Sequence, residues 1–106
     1  MHDKYSYRVI WSEEDQEYVG LVAEFPSLSW LGKSQETAFK GIRKLTLEIV
    51  ADMKLQGEPV PEPIASKSFS GKFMVRVPPE VHRRLAIAAQ EAKVSLNRFV
   101  SAKLAA

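Results

Sequence analysis

Three observations predict an α+β chain in two parts. Apolar and polar residues alternate through much of residues 5–31, then change to helical spacing from residue 35 to residue 55. Three prolines at alternate positions (Pro59, Pro61, Pro63) then break the pattern and read as an extended, semi-rigid spacer. Beyond them the change repeats in miniature, with one short alternating run and two helical ones. A boundary at the spacer gives parts of 1–65 and 66–106. A length of 106 residues with 45% apolar content suits one ordinary domain or two very small folded ones.

In the first part, Tyr5, Tyr7, Val9 and Trp11 alternate with Ser6, Arg8, Ile10 and Ser12, which predicts a strand. Glu13–Glu17 is a polar interruption of hairpin length. Tyr18–Phe25 resumes the alternation, with Val19, Leu21, Ala23 and Phe25 on one face. Pro26-Ser27 ends it, and Leu28–Leu31 predicts a short third strand, so the three form an antiparallel meander. Ser34 occupies an N-cap position, with Glu36 placed to favour the positive end of the helix dipole. Ala38, Ile42, Leu45, Ile49 and Met53 form one long apolar stripe, which Phe39 and Leu47 widen. Gly57 supplies the stop and Pro59 prevents resumption. Packing that helix across one face of the sheet is the simplest arrangement. The other face is then a candidate protein-binding surface, and the rings of Tyr5, Tyr7, Trp11, Tyr18 and Trp30 divide between core and surface.

The second part centres on Gly71–Leu104. Phe73, Val75 and Val77 alternate with Lys72, Met74 and Arg76, the pattern of a strand with one buried face. Pro78-Pro79 ends it, and Pro79 suits the first turn of a helix carrying Val81, Leu85, Ala88 and Ala92. Ser95 predicts the N-cap of a second helix with Leu96, Phe99, Val100 and Leu104 as its stripe. A lone strand and two short helices cannot bury their own apolar faces. A symmetric homodimer solves this, with the two strands paired as a ribbon over four interlocked helices. Phe73, Val75, Val77, Val81, Leu85 and Phe99 then form the dimer core, and Lys72, Met74 and Arg76 lie on the outer face. A two-stranded ribbon fits the DNA major groove, so that face is where bases would be read. The backbone N–H groups at Ser95, Leu96 and Asn97 would hold a DNA phosphate at the second helix's N-terminus.

The run Lys-Phe-Met-Val-Arg-Val-Pro-Pro-Glu-Val-His, followed by Val-Ser-Leu-Asn-Arg-Phe-Val, resembles the ribbon–helix–helix DNA-binding domain of the Arc repressor type. With a small α/β domain ahead of it, the chain resembles the HicB family of toxin–antitoxin antitoxins. Met74 departs from the polar reader common in the family and offers only apolar contact, to a thymine methyl. The resemblance implies a degraded ribonuclease-H-like N-terminal domain of β-β-β-α-β order, which places a fourth strand at Ile64–Ala65. On its residues alone, Ile64–Phe69 reads equally as linker. The resemblance also implies two partners, operator DNA and a small basic HicA-type RNA-cleaving toxin, and a homodimer that can pair further into a tetramer.

Charge divides along the same boundary. Residues 1–67 carry 8 Lys/Arg against 11 Asp/Glu, and residues 68–106 carry 7 against 2. The basic part suits phosphate and the acidic part suits a basic protein. No run is apolar and long enough to span a bilayer, the start lacks signal-peptide character, and there is no cysteine. Together these lead us to expect a cytoplasmic protein with no membrane partner.

The acidic run Glu13, Glu14, Asp15 and Glu17 invites a metal-dependent nuclease reading, but it reads better as a solvated hairpin tip. A nuclease site needs convergent carboxylates, whereas Asp3, Glu24 and Asp52 are scattered. His2 and His82 are the only histidines and read as surface residues rather than a metal pair. No phosphate loop or nucleophile elbow occurs. The expected function is therefore a non-enzymatic antitoxin and repressor without cofactor or metal. The alternative is a repressor whose N-terminal domain senses a small molecule, which an apolar pocket with convergent polar groups would favour.

Overall fold

The computed structural model describes residues 3–106. It divides into two compact units, 1–69 and 70–106. The N-terminal unit is a three-stranded antiparallel sheet in the order β1 (Tyr7–Ser12), β2 (Glu17–Val22), β3 (Ser29–Gly32), with one long helix, α1 (Gln35–Leu55), against it. The register pairs Tyr7 with Val22, Val9 with Gly20 and Trp11 with Tyr18, then Gly20 with Trp30 and Tyr18 with Gly32. The hairpin tip is closed by its own side chains. The Trp11 indole donates to Glu13 Oε2 (2.7 Å), the Ser12 hydroxyl donates to Asp15 (2.9 Å) and the Gln16 amide donates to the Glu13 carbonyl (2.7 Å). The acidic run is thus a solvated turn in which Glu13 and Asp15 serve the hairpin and Glu17 pairs with Lys33 (3.6 Å).

Two glycines decide how closely helix and sheet approach. A Cβ on Gly20 would lie 2.5 Å from the Ala38 carbonyl oxygen, and one on Gly32 would lie 2.5 Å from the Ala38 amide nitrogen. Helix α1 therefore rests almost on the strand backbone, and Ala38, Ile42, Thr46 and Val50 are buried along its inner line. The expected stripe is rotated by about one position. Leu45, Ile49 and Met53 flank the core half-buried, whereas Thr46 and Val50 sit at its centre. Thr46 is tolerated there because its hydroxyl donates to the Ile42 carbonyl (2.8 Å), one turn back. The Ser34 hydroxyl accepts from the Thr37 amide (3.1 Å), as expected of the N-cap. At the other end Gly57 takes φ +72°, its amide reaches the Lys54 carbonyl and the Glu58 amide reaches that of Met53, a Schellman stop.

Strand β2 ends at Val22, three residues before the expected Phe25. The chain turns there, with the Phe25 amide on the Val22 carbonyl, and the turn drops Phe25 into the core edge-on to Tyr5 at 5.4 Å. Val19 and Leu21 do share a face, but it is the one away from α1, because Gly20 and Val22 face the helix.

The expected fourth strand does not form. Ile64–Ser66 is a single 3₁₀ turn. In an extended chain, alternate residues point their N–H groups to the same side. Pro59, Pro61 and Pro63 remove three successive donors from one side, so no ladder can start there.

The C-terminal unit holds α2 (Pro79–Glu91) and α3 (Leu96–Ala105), which pack on each other. Pro79 is the first helical residue, as its fixed φ favours. Helix α2 ends in a second Schellman stop. Lys93 supplies the left-handed residue (φ +60°), and the Val94 amide reaches the Ala89 carbonyl (3.1 Å). The Ser95 hydroxyl then caps α3 by accepting from the Arg98 amide (3.0 Å).

Candidate nucleic-acid interface

Residues 72–78, between Gly71 and α2, form no strand within the chain. The segment is expected to be a strand, but a ladder needs a second strand, and among the described residues none pairs with it. Every residue from Gly71 to Glu80 is exposed. Phe73 is 76%, Met74 80% and Val75 60% accessible, although apolar side chains of this size normally lose most of that surface on folding. The segment nevertheless has apolar ground beside it. Val75 and Val77 border a groove with Leu85, Leu96 and Val100, and Phe73 borders another with Leu96, Val100 and Leu104.

The expected core positions on the helices, Val81, Leu85 and Phe99, are half-buried, and the Lys103 ammonium stands 5.4 Å over the Phe99 ring. The expected base readers Lys72, Met74 and Arg76 are exposed. At the start of α3, Ser95 and Asn97 are exposed. Leu96 behaves differently, because its side chain is half-buried and lines both grooves, leaving only its amide on the polar side. Val100 and Leu104 join it at i+4 and i+8, a spacing already visible in the sequence but not carried into the expected core.

In the N-terminal unit the face of the sheet away from α1 is open. Ile10, Val19 and Leu31 lie in one cross-strand row on it, and Ile10 and Leu31 are 44% and 45% accessible. The rings are on the other side. Tyr7 meets Phe39 edge-on, Trp11 meets Tyr18, and Trp30 lies against Gly41 of α1. The open face is therefore aliphatic rather than aromatic.

The scattered carboxylates have structural partners. Asp3 accepts from the Tyr7 hydroxyl (2.8 Å) and pairs with Arg43 Nε (2.9 Å), tying the chain's start to α1. Burial first, then the hydrogen bond to Asp3 and its charge, push the Tyr7 hydroxyl well above its ordinary range, against opposing effects of Thr46 and Arg43. Glu24 accepts from the Ser6 amide (3.0 Å), the Ser6 hydroxyl (3.1 Å) and the Ile64 amide (2.8 Å). Burial works against its charge, but the amides of Ile64 and Ser6 outweigh it and hold the carboxyl below its ordinary range. Among the described residues, no three His, Cys, Asp or Glu side chains come together as a metal site. His82 is exposed, and His2 lies outside the described residues. Among those residues, no helix is long and apolar enough to cross a membrane.

Residues 55–104 match the model of the HicB family. The match covers just under half of the chain. It runs from the last residue of α1 through the spacer and almost to the end of α3. No curated protein and no solved structure matches this chain.

Proposed function

We infer that this protein is a HicB-type antitoxin that acts as a homodimeric repressor of its own operon and masks a HicA-type RNA-cleaving toxin in the cytoplasm. The carrying observation is the exposed alternating segment Lys72–Val77. Its apolar residues border grooves that one chain does not fill, and once the segment is paired as a strand its alternate residues Lys72, Met74 and Arg76 would take the opposite face. A second copy supplies the missing strand, giving a type II system's ribbon–helix–helix dimer in which Phe73, Val75 and Val77 turn inward. Lys72, Met74 and Arg76 then face the major groove. Arg76 can pair bidentately with the O6 and N7 of guanine, Lys72 acts as a point charge, and Met74 contacts a thymine methyl. The amides of Leu96 and Asn97, with the Ser95 and Asn97 side chains, hold a phosphate.

The N-terminal unit is the toxin-binding part in this reading. The acidic balance of residues 1–67 and the open row Ile10, Val19 and Leu31 support it, because a small basic protein needs opposite charge around an apolar centre. In its ribonuclease-H-like ancestry this unit keeps a fold without the chemistry, and the protein acts by binding alone.

DNA reading is tested by comparing Arg76→Ala and Asn97→Ala on the operator and on scrambled DNA at one salt concentration. Arg76→Ala is expected to weaken operator binding by about 1–3 kcal/mol per contact and to relax preference at one base position. Asn97→Ala is expected to weaken both DNAs alike. An unchanged operator-to-scrambled ratio for Arg76→Ala overturns groove reading by the ribbon.

A further inference from the structure

The proline segment after α1 is bound to the N-terminal unit at three points. The Tyr5 hydroxyl donates to the Pro61 carbonyl (2.8 Å), the Ile64 amide donates to Glu24 Oε2 (2.8 Å), and Val60 packs half-buried on the core. Pro61 and Pro63 are half-buried as well. Tyr5 stands just before β1 and Glu24 just after β2, so the segment is held at one end of the hairpin pair.

The way it is held differs from that of the strands and the helix. Strands and helix are secured by backbone ladders and a continuous core, which open only together. The alternate prolines deny this segment a ladder, leaving two side-chain hydrogen bonds and the half-buried Val60, Pro61 and Pro63. Neither Tyr5 nor Glu24 depends on the segment for its own place. Tyr5 also packs on Phe25, and Glu24 also binds Ser6. Release of the segment therefore leaves the sheet and α1 intact.

We propose that residues 60–64 form a latched strap, closed by Glu24 and Tyr5, that gives the chain between the two units two lengths. With the strap closed, free chain begins after the 3₁₀ turn at Ser66. With it open, free chain begins at Pro59, beyond the Schellman stop of α1 that Glu58 completes. At about 3.1 Å per residue for proline-rich extended chain, the eight added residues give roughly 25 Å more reach. Reach sets the effective concentration at which one unit presents itself to whatever the other has bound. The strap is thus a length control lying wholly inside the N-terminal unit, and it does not depend on what either unit binds.

Hydrogen exchange on the full-length protein tests the latch. The Ile64 amide is expected to be protected in the parent chain. Glu24→Ala is expected to speed its exchange about tenfold or more, Tyr5→Phe less, and in both the Ile64 rate is expected to rise well beyond any change at α1 amides. The absence of cysteine allows a second measurement, with spin labels on Glu14→Cys and Glu91→Cys in a chain diluted into excess unlabelled protein. The intrachain distance distribution is expected to broaden and extend to longer values in the Glu24→Ala background. Ile64 exchanging in the parent chain at the rate of unstructured peptide overturns the proposal. So does loss of α1 protection together with that of Ile64, and so does an unchanged distance distribution once Ile64 exchange has risen.

Discussion

The two units solve the same physical problem to different degrees. The N-terminal unit closes a core around Val22, Phe25, Ile42 and Val50, with α1 laid tightly on its sheet. The C-terminal unit has a Schellman stop on α2 and a capping serine on α3 but buries only Ala89, and it leaves Phe73, Met74, Val75 and Leu104 mostly in solvent. Correct local structure is present in both, so caps and helical stripes do not by themselves complete a fold. What separates the units is whether a single chain supplies both sides of the apolar contact. The first is a finished domain, and the second leaves its apolar segment uncovered by its own chain.

The largest expected effect lies at Val75. In an isolated chain it is 60% accessible, so Val75→Asp would change stability by no more than about 0.5 kcal/mol. In a dimer core the same change buries a carboxylate and costs several kcal/mol. Sedimentation is expected to show the dimer lost and circular dichroism to show α2 and α3 melted, with the N-terminal unit still folded. A variant that keeps both its mass and its helices would break the comparison. The reciprocal change, Ile42→Ala, is expected to cost the N-terminal unit about 2–5 kcal/mol at every protein concentration. Melting of the C-terminal unit is expected to shift with concentration, as association requires.

Acid is expected to have a smaller, one-sided effect. The folded-state pKa of Glu24 is depressed, so the stability it contributes is full above its ordinary value and is lost as pH falls through the folded one. Thermal melts of the N-terminal unit are expected to hold steady from neutrality down to about pH 4.5 and to decline below that. Glu24→Gln is expected to flatten this decline. An equal decline in that variant would assign the acid sensitivity to other carboxylates.

The smallest expected effect distinguishes the two helix stops. Both are Schellman motifs, but Gly57 takes positive φ without strain and Lys93 does not. Lys93→Gly is expected to stabilise the C-terminal unit by about 0.5–1 kcal/mol, read as a rise in its melting temperature. No rise would show that the Lys93 side chain offsets its backbone strain.

Much of this was legible in the residues because it is local. Ser34, Gly57, Pro79 and Ser95 act on their own neighbours, and each occupies its expected place. The stripe on α1 was read one position off because Thr46 looks polar, and its satisfaction by the Ile42 carbonyl becomes visible only once the helix exists. The fourth strand at Ile64–Ala65 was an expectation from family order, and the spacing of the prolines already argued against it. At the candidate interface the alternation of Lys72–Val77 is plain, while no strand among the described residues pairs with it. The sidedness of Leu96 was missed because its place in the first turn of α3 drew notice to its amide rather than its side chain.

The near contact of α1 with the sheet bears on which sequences this fold will accept. At Gly20 and Gly32 the obstacle to a side chain is the backbone of Ala38, which cannot rotate aside as a side-chain tip would. Saturation mutagenesis would therefore return a single permitted residue at these two sites, beside broad tolerance at solvent positions such as Glu14. Neither glycine takes a positive φ. Their intolerance would be a record of how closely a helix can lie on a strand, written in the positions where nothing can be added.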